Sequence, residues 1–202
     1  MIEIKQTATI IVPQKKEGWE VMIDAIATTA RVCYQSEADS YEDNVALVKK
    51  LVARGHHAML EFGHVTVDFI TDRGISHEIV RHRLFSFAQE STRYCRYKDG
   101  QILYVLPSTW DSFSERSKTL WRHSMAQSEV MYIGMLEEGC SPQQARAVLP
   151  NSLKTQLRVK GNLRQWLHFF ELRDSKQAHP DMQALVAPLH QTFKDNCPEV
   201  FG

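Results

Sequence analysis

Arg81-His82-Arg83-Leu84-Phe85-Ser86-Phe87-Ala88-Gln89-Glu90-Ser91-Thr92-Arg93 is the stretch from which the rest of the chain is read. Three cationic or potentially cationic side chains stand in a row at 81–83, and after seven further residues come the Ser91 hydroxyl and then Arg93. Such a cluster repels itself unless an anion fills it. Guanidinium presents a planar fork of donors that takes phosphate oxygens two at a time. A solvated basic face at a helix end is the competing explanation. The apolar flanks Leu84, Phe85 and Phe87 weigh against it, because they draw the segment alongside a core and hold the charges in a partly buried place. The stretch therefore predicts a phosphate-binding site.

At 202 residues the chain is long enough to bury a substantial core as one domain, 1–202. Lys+Arg and Asp+Glu both number 24, so no global field attracts nucleic acid or anionic lipid. Basic character is local, around 73–98 and 146–173, which favours a small anionic ligand over a long polyanion. Met1-Ile2-Glu3-Ile4-Lys5 is too charged for a signal peptide, and no apolar run approaches the ~18–20 residues of a membrane span. Cys33, Cys95, Cys140 and Cys197 lie far apart and read as reduced thiols of a cytoplasmic protein.

Residues 2–12 read as a strand ended by Pro13. Trp19, Met22, Ile23, Ile26, Ala27 and Ala30 recur at helical spacing over 17–32, and a second helix spans 40–54 with Gly55 as its stop. Val65, Val67 and Phe69 alternate as a strand ending at Thr71-Asp72-Arg73-Gly74. Ser76 is expected to cap a helix from Ile75 to Leu84, with His77, Glu78, Arg81 and His82 on neighbouring turns where they share one ligand. Beyond Phe85 an extended chain would put Ser91 and Arg93 on the same side. A short strand at 103–106, a long helix over 112–138 with Gly139 as its stop, and a capping box at Ser141-Pro142-Gln143-Gln144 follow. Residues 153–160 alternate as a strand with one cationic face, Asn162 caps a helix running to Leu172, and 181–197 form the last helix. The fold class expected is α+β, a single domain with a mainly antiparallel sheet and packed helices that include one long helix.

Gly55-His56-His57-Ala58-Met59-Leu60-Glu61-Phe62-Gly63-His64 brings three histidines and a carboxylate into ten residues. Its spacing is not His-Glu-x-x-His, so a polar lining is expected there and no metal site. The anion-binding candidates are Arg81, Arg83, Arg93, Arg146, Arg164 and Arg173, while His56, His82 and His168 titrate near neutrality. Gly-x-Ser-x-Gly is absent, and a serine amid arginines is more often a phosphate donor than a nucleophile. Neither Gly-x-Gly-x-x-Gly nor a Walker A motif occurs among the nine glycines, so any dinucleotide is held by side chains.

Arg81-His82-Arg83, seven residues, Ser91, and the continuation Arg93-Tyr94 resemble the signature of the flavin-dependent thymidylate synthases. Ala30-Arg31-Val32-Cys33-Tyr34, Gly55-His56 with Glu61, Ala145-Arg146-Ala147-Val148-Leu149-Pro150 and Asn162-Leu163-Arg164 with His168 and Leu172-Arg173 resemble further elements of that family in the same order. The resemblance implies an enzyme that binds FAD, takes hydride from NADPH and methylates dUMP with 5,10-methylenetetrahydrofolate, acting as a homotetramer. It implies FAD contacts from His56, Ala58, Arg81, His82, Arg83, Gln89, Asn162, Leu163, Arg164 and His168. For dUMP it implies Glu78, Ile79, Val80, Arg81, Gln89, Glu90, Ser91, Thr92, Arg93, Arg146 and Arg173. Arg173 would stabilise charge on the uracil ring and Ser91 would position the substrate.

This chain departs from the family at Ala88-Gln89, where Asn-Glu is frequent, at Glu78, where some relatives have Gln, and at Phe62, where a histidine is common. A carboxylate beside a phosphate ester is unfavourable, so Glu78 would have to face the base or ribose. A non-catalytic RNA- or nucleotide-binding module built on 81–93, with Tyr94, Tyr97 and Trp166 stacking, is the rival outside enzymes. Net neutrality and the lack of RNP-like or KH-like motifs count against it. A cysteine-nucleophile thymidylate synthase is the rival within enzymes, and Cys140 and Cys197 precede Ser-Pro and Pro rather than the histidine that chemistry favours.

Overall fold

The computed structural model describes residues 1–202. In chain order the strands and helices are β1 (Ile2–Ile4), β2 (Thr7–Val12), α1 (Lys16–Val32), α2 (Tyr41–Ala53), β3 (His64–Asp72), α3 (Arg73–Ile79), β4 (Ser86–Gln89) and β5 (Leu103–Val105). There follow α4 (Glu115–Glu137), α5 (Pro142–Ala145), β6 (Lys154–Asn162), α6 (Leu163–Arg173), α7 (Pro180–Asn196) and α8 (Pro198–Phe201). The class is α+β. Strand order in the larger sheet is β2-β3-β6-β4. Leu163 N donates to Gly63 O and Arg73 N donates to Leu153 O, so numbers rise along β3 as they fall along β6 and the pair is antiparallel. No helix is long and apolar enough to cross a membrane.

The strand expected over 2–12 is two strands, broken at Lys5 and Gln6. The reason is a change of partner: β1 pairs with β5 in parallel, Ile2 opposite Leu103 and Ile4 opposite Val105, while β2 belongs to the other sheet. Within 55–64, where a polar lining is expected, residues His57–Phe62 form a 3₁₀ helix. The long helix starts at Glu115 rather than 112 because the Ser114 side chain accepts from Ser117 N and acts as its N-cap.

The chain divides into two compact units. One comprises Met1–Thr7, Phe69–Arg81 and Ala88–Leu157. Its core gathers Ile102, Tyr104, Met125, Tyr132, Leu136, Ala145 and Leu153. Met125, Tyr132 and Leu136 recur at helical spacing on α4, whereas Leu120, Val130 and Met131 on the same helix are exposed. At Gly139, φ of +88° lets the chain turn away from the end of α4.

The second unit comprises Ala8–Asp68, His82–Phe87 and Arg158–Gly202. Trp19, Ile23, Ile26 and Ala27 line the buried face of α1, as their spacing predicts. Their partners are aromatic: Phe193 of α7 lies 5.5 Å from Trp19 and 5.3 Å from Trp166 of α6, centroid to centroid. Helix α6 is launched by a reciprocal cap in which Asn162 Oδ1 accepts from Gln165 N at 2.9 Å and Gln165 Oε1 accepts from Asn162 N at 2.8 Å. Arg31 donates to Asn44 Oδ1, Glu37 O and Asp43 O, and so staples the loop between α1 and α2.

The segment His82–Phe87 enters this core through one ring. Phe85 is buried, 4.7 Å from Trp166 and 5.9 Å from Phe169, and Gln165 Nε2 donates to Leu84 O at 2.8 Å. Leu84 itself is 82% exposed, so of the expected apolar flank Phe85 alone is fully buried and Phe87 is half-buried. A Cβ on Gly161 would come within 1.9 Å of Phe85 Cε1, so the ring occupies space that any other residue at 161 would claim. Gly161→Ala is expected to cost about 2–3 kcal/mol through overpacking. Thermal unfolding checks this: a fall in Tm of roughly 5–10 °C is expected for a chain of this size. An unchanged Tm would mean that Phe85 swings aside without penalty.

Candidate functional site

In the first unit the site residues hang on how α3 begins. Asp72 Oδ1 accepts from Ile75 N at 2.7 Å and caps the helix, while Ser76, the expected cap, donates its hydroxyl to Arg73 O at 2.9 Å. The helix begins at Arg73, two residues before the expected Ile75, and ends at Ile79, not Leu84. His77 and Glu78 therefore lie on it, Val80 is its C-cap, and Arg81 stands in the turn beyond. The expected sharing of one helical face by His77, Glu78, Arg81 and His82 does not occur. Arg81 is exposed and makes no ion pair, so the expectation of partly buried cations fails there too.

Gln89 ends β4. Its Nε2 donates to Ser76 Oγ at 3.0 Å and to Thr155 Oγ1 at 3.2 Å. Because Ser76 spends its own proton on Arg73 O, the Gln89 amide must donate here, which a glutamate at this position could not do. Glu90 accepts from Lys154 Nζ at 2.8 Å, Tyr97 OH at 3.1 Å and Gln156 N at 3.2 Å. Thr92 is buried, and its Oγ1 accepts from Arg146 Nη1 at 3.2 Å. Between them the chain turns: Tyr94 N and Cys95 N both donate to Ser91 O, and Arg93 N donates to Ser91 Oγ at 3.3 Å. The turn replaces the extended geometry expected for Ser91 and Arg93. Arg93 is exposed, its guanidinium 5.5 Å from the Tyr94 ring. No imidazole or carboxylate bonds to Ser91, so nothing there activates it as a nucleophile.

A cleft of about 280 Å³ in this unit is lined by Arg73, His77, Thr92 and Arg146 above Pro150 and Asn151. Thr92 and Arg146 stand in the expected site, whereas Arg73 is a residue that sequence reasoning passes over. Its one signal is the spacing of four to His77 on α3.

In the second unit a cleft of about 400 Å³ is lined by Gly55, His56, His57, Ala58, Met59 and Arg164, with Ala30, Leu51 and Tyr34. His56, Ala58 and Arg164 are thus brought together as expected. Arg164 Nη1 pairs with Glu61 Oε1 at 2.7 Å, both side chains about half exposed. Asn162 is engaged in its cap and Leu163 is buried, its amide bonded to Gly63 O. His168 is exposed and near Glu171. Arg83 is exposed and unpaired.

Arg173, at the end of α6, donates from Nε to His82 Nε2 at 2.9 Å. The His82 ring also lies 4.9 Å from Phe169 and 6.4 Å from His168. Burial, then the Arg173 charge, then His168 push the His82 pKa down from 6.5 to about 4. His82 is therefore neutral at pH 7 with its proton on Nδ1, which corrects its expected titration near neutrality. The basic run holds two permanent cations around a neutral acceptor.

Below pH 6.5 the unfolded chain binds a proton at His82 that the folded chain refuses down to about pH 4, so this residue's contribution to stability is complete above pH 6.5 and declines as pH falls through that window. His82→Gln keeps an acceptor for Arg173 but cannot titrate. Thermal unfolding from pH 7 to pH 4 is expected to show a shallower decline in the variant than in the wild type, and parallel declines would contradict the assignment.

A family model described as "Thymidylate synthase complementing protein" matches residues 20–199. A flavin-dependent thymidylate synthase of Geobacter sulfurreducens is 31% identical over 186 residues, covering 88% of this chain and 79% of the relative. Those of Mycobacterium avium and Corynebacterium glutamicum are each 31% identical, over 85% and 92% of this chain and 75% and 80% of the relatives. The chain belongs to the flavin-dependent thymidylate synthase family of enzymes.

Proposed function

We propose that this chain carries out the reductive methylation of dUMP to dTMP, with FAD as bound cofactor, NADPH as reductant and 5,10-methylenetetrahydrofolate as carbon donor. The observation that carries the proposal is the segment Arg81-His82-Arg83 … Ser91 in a chain of this family, its arginines 81 and 83 exposed and without ion pairs. The relatives' own name, flavin-dependent thymidylate synthase, supports both the flavin and the product. The family match runs across residues of both units, which supports treating 1–202 as one functional domain. The exposed Leu120, Val130 and Met131 on α4 support self-association, for which a homotetramer is proposed.

The residues present fit a flavin dinucleotide. Arg83 and Arg164 offer exposed cations for its phosphates, and the cleft at Gly55–Met59 offers Ala30, Leu51 and Met59 as apolar surface beside Tyr34 and His56. Ala58, Asn162, Leu163, His168, Arg81, His82 and Gln89 complete the proposed cofactor set. When bound, the flavin supplies hydride chemistry that no side chain can. For dUMP, the proposed ligands are Glu78, Ile79, Val80 and Arg81, then Gln89, Ser91, Thr92 and Arg93, and Arg146 with Arg173, while the Glu90 carboxylate is taken up by Lys154 and Tyr97. Ser91, Arg93 and Arg146 suit the phosphate, as a hydroxyl and two guanidinium groups without carboxylate partners.

Arg173 has the role closest to the chemistry. Negative charge builds on the N3–O4 edge of the uracil ring as C5 and C6 react, and a guanidinium held in place stabilises it. The neutral His82 accepts from Arg173 Nε and so fixes the plane of the fork without cancelling its charge. Arg173→Lys keeps the charge and loses that plane, so kcat is expected to fall by roughly 100-fold, more than the KM for dUMP rises. Chromatographic measurement of dTMP formed from dUMP with FAD, NADPH and methylenetetrahydrofolate reads both constants. An unchanged kcat with a lowered Tm would make Arg173 structural, and wild-type protein forming no dTMP would overturn the proposed function. Ser91→Ala is expected to retain turnover in the same assay; its abolition with dUMP and flavin still bound would contradict a positioning role.

A further inference from the structure

Within Gln89–Arg93 some side chains are spent on the protein and others are not. Gln89 is held by Ser76 and Thr155, and Thr92 by Arg146. Glu90 is the most heavily engaged, its Oε2 taking Lys154 Nζ at 2.8 Å and Gln156 N at 3.2 Å, and its Oε1 taking Tyr97 OH at 3.1 Å. The Glu90 and Lys154 side chains are only 17% and 18% exposed. Glu90 N also donates to Gln156 O at 2.9 Å, so side chain and backbone both tie this residue to β6. The Tyr97 phenol is pushed upward by burial and by Glu90, and stays a donor to the carboxylate at any working pH. Immediately after Glu90, the turn closes on Ser91.

A carboxylate one residue from a phosphate ligand would repel the phosphate if its charge were free. Here the charge is spent on Lys154, and the Lys154 charge is spent in return. Arg93 and Arg146 have no carboxylate partner, and neither do Arg73, which lines the cleft with Arg146, and the exposed Arg96.

We infer that Glu90 is a positioning residue: held by Lys154 and Tyr97, it fixes the turn that presents Ser91 and Arg93 to the nucleotide phosphate, without touching the nucleotide. The inference rests on the dUMP reading of the site. It assigns Lys154 and Tyr97 to the same clamp, although neither lies in the segment it positions.

A double-mutant cycle on the full chain loaded with FAD tests it, using Glu90→Gln, Lys154→Met and the pair, with dUMP affinity by calorimetry and amide hydrogen exchange at Ser91–Tyr94. Each single variant is expected to weaken dUMP about tenfold, the effect of weakening one charge-assisted bond to the phosphate. The double variant is expected to be no weaker than the worse single, because both remove one clamp. Exchange at Ser91–Tyr94 is expected to quicken in both singles without dUMP, while flavin absorbance is unchanged. If Glu90→Gln weakens dUMP and Lys154→Met does not, Glu90 is a direct ligand and the inference falls. Equal dUMP affinity in all forms also overturns it. Should wild type bind no dUMP, the functional reading fails, and hydrogen exchange alone then decides: quickened exchange upholds the clamp and unchanged exchange removes it. Tyr97→Phe, which deletes one donor and leaves the ion pair, stands in should Glu90→Gln not fold and is expected to shift both readouts in the same direction.

Discussion

One packing contact carries the rest of the second unit's chemistry: the Phe85 ring lying against a backbone that has no side chain at Gly161. A ring can approach a strand that closely only where a hydrogen replaces Cβ. The contact draws the segment His82–Phe87 onto the Trp166 and Phe169 rings. Three residues before Phe85 stands His82, so anchoring the ring also delivers this imidazole to Phe169 and to the Arg173 guanidinium. An apolar contact therefore decides which tautomer a histidine adopts and where an arginine points.

The electrostatics follow a similar division between charges that are spent and charges that are available. Lys154, Arg158 and Arg164 have carboxylate partners in Glu90, Asp68 and Glu61. Arg81, Arg83, Arg93 and Arg146 have none. The Arg158 and Arg164 guanidinium groups are more than half exposed, so their pairs contribute little to stability and serve mainly to neutralise surplus cations, whereas the Lys154–Glu90 pair is largely buried. Arg81, Arg83 and Arg93 stand on turns and Arg146 opens a 3₁₀ helix, a local set of cations in a chain without net charge. A nucleotide or dinucleotide phosphate is the size of anion that such a set serves.

Much of this was legible in the sequence, because its causes are local. The spacing of Trp19, Ile23, Ile26 and Ala30 marks α1, and the caps at Ser141 and Asn162 announce α5 and α6 before any tertiary contact exists. The arginine signature and its order with the other family elements were likewise readable. What was not legible depends on partners far along the chain. β1 separates from β2 because it pairs with β5, about a hundred residues away. Helix α3 begins at Arg73 because Asp72, rather than Ser76, captures Ile75 N, a competition between two good capping residues that spacing cannot rank. His82 reads as a switchable cation until Arg173, ninety-one residues later, is found donating to it. The expected cationic face of β6 is likewise cut down by Glu90 and Asp68, neither of them near it in sequence.

The central claim is that the anchored basic segment serves a flavin. Titrating free FAD with the purified protein, and following the quenching of flavin fluorescence, tests it most directly. The account predicts saturable quenching that Arg83→Ala weakens by about tenfold or more, the usual consequence of losing one charge-assisted bond to phosphate. Quenching that never saturates, or the same affinity with and without the Arg83 guanidinium, would contradict it.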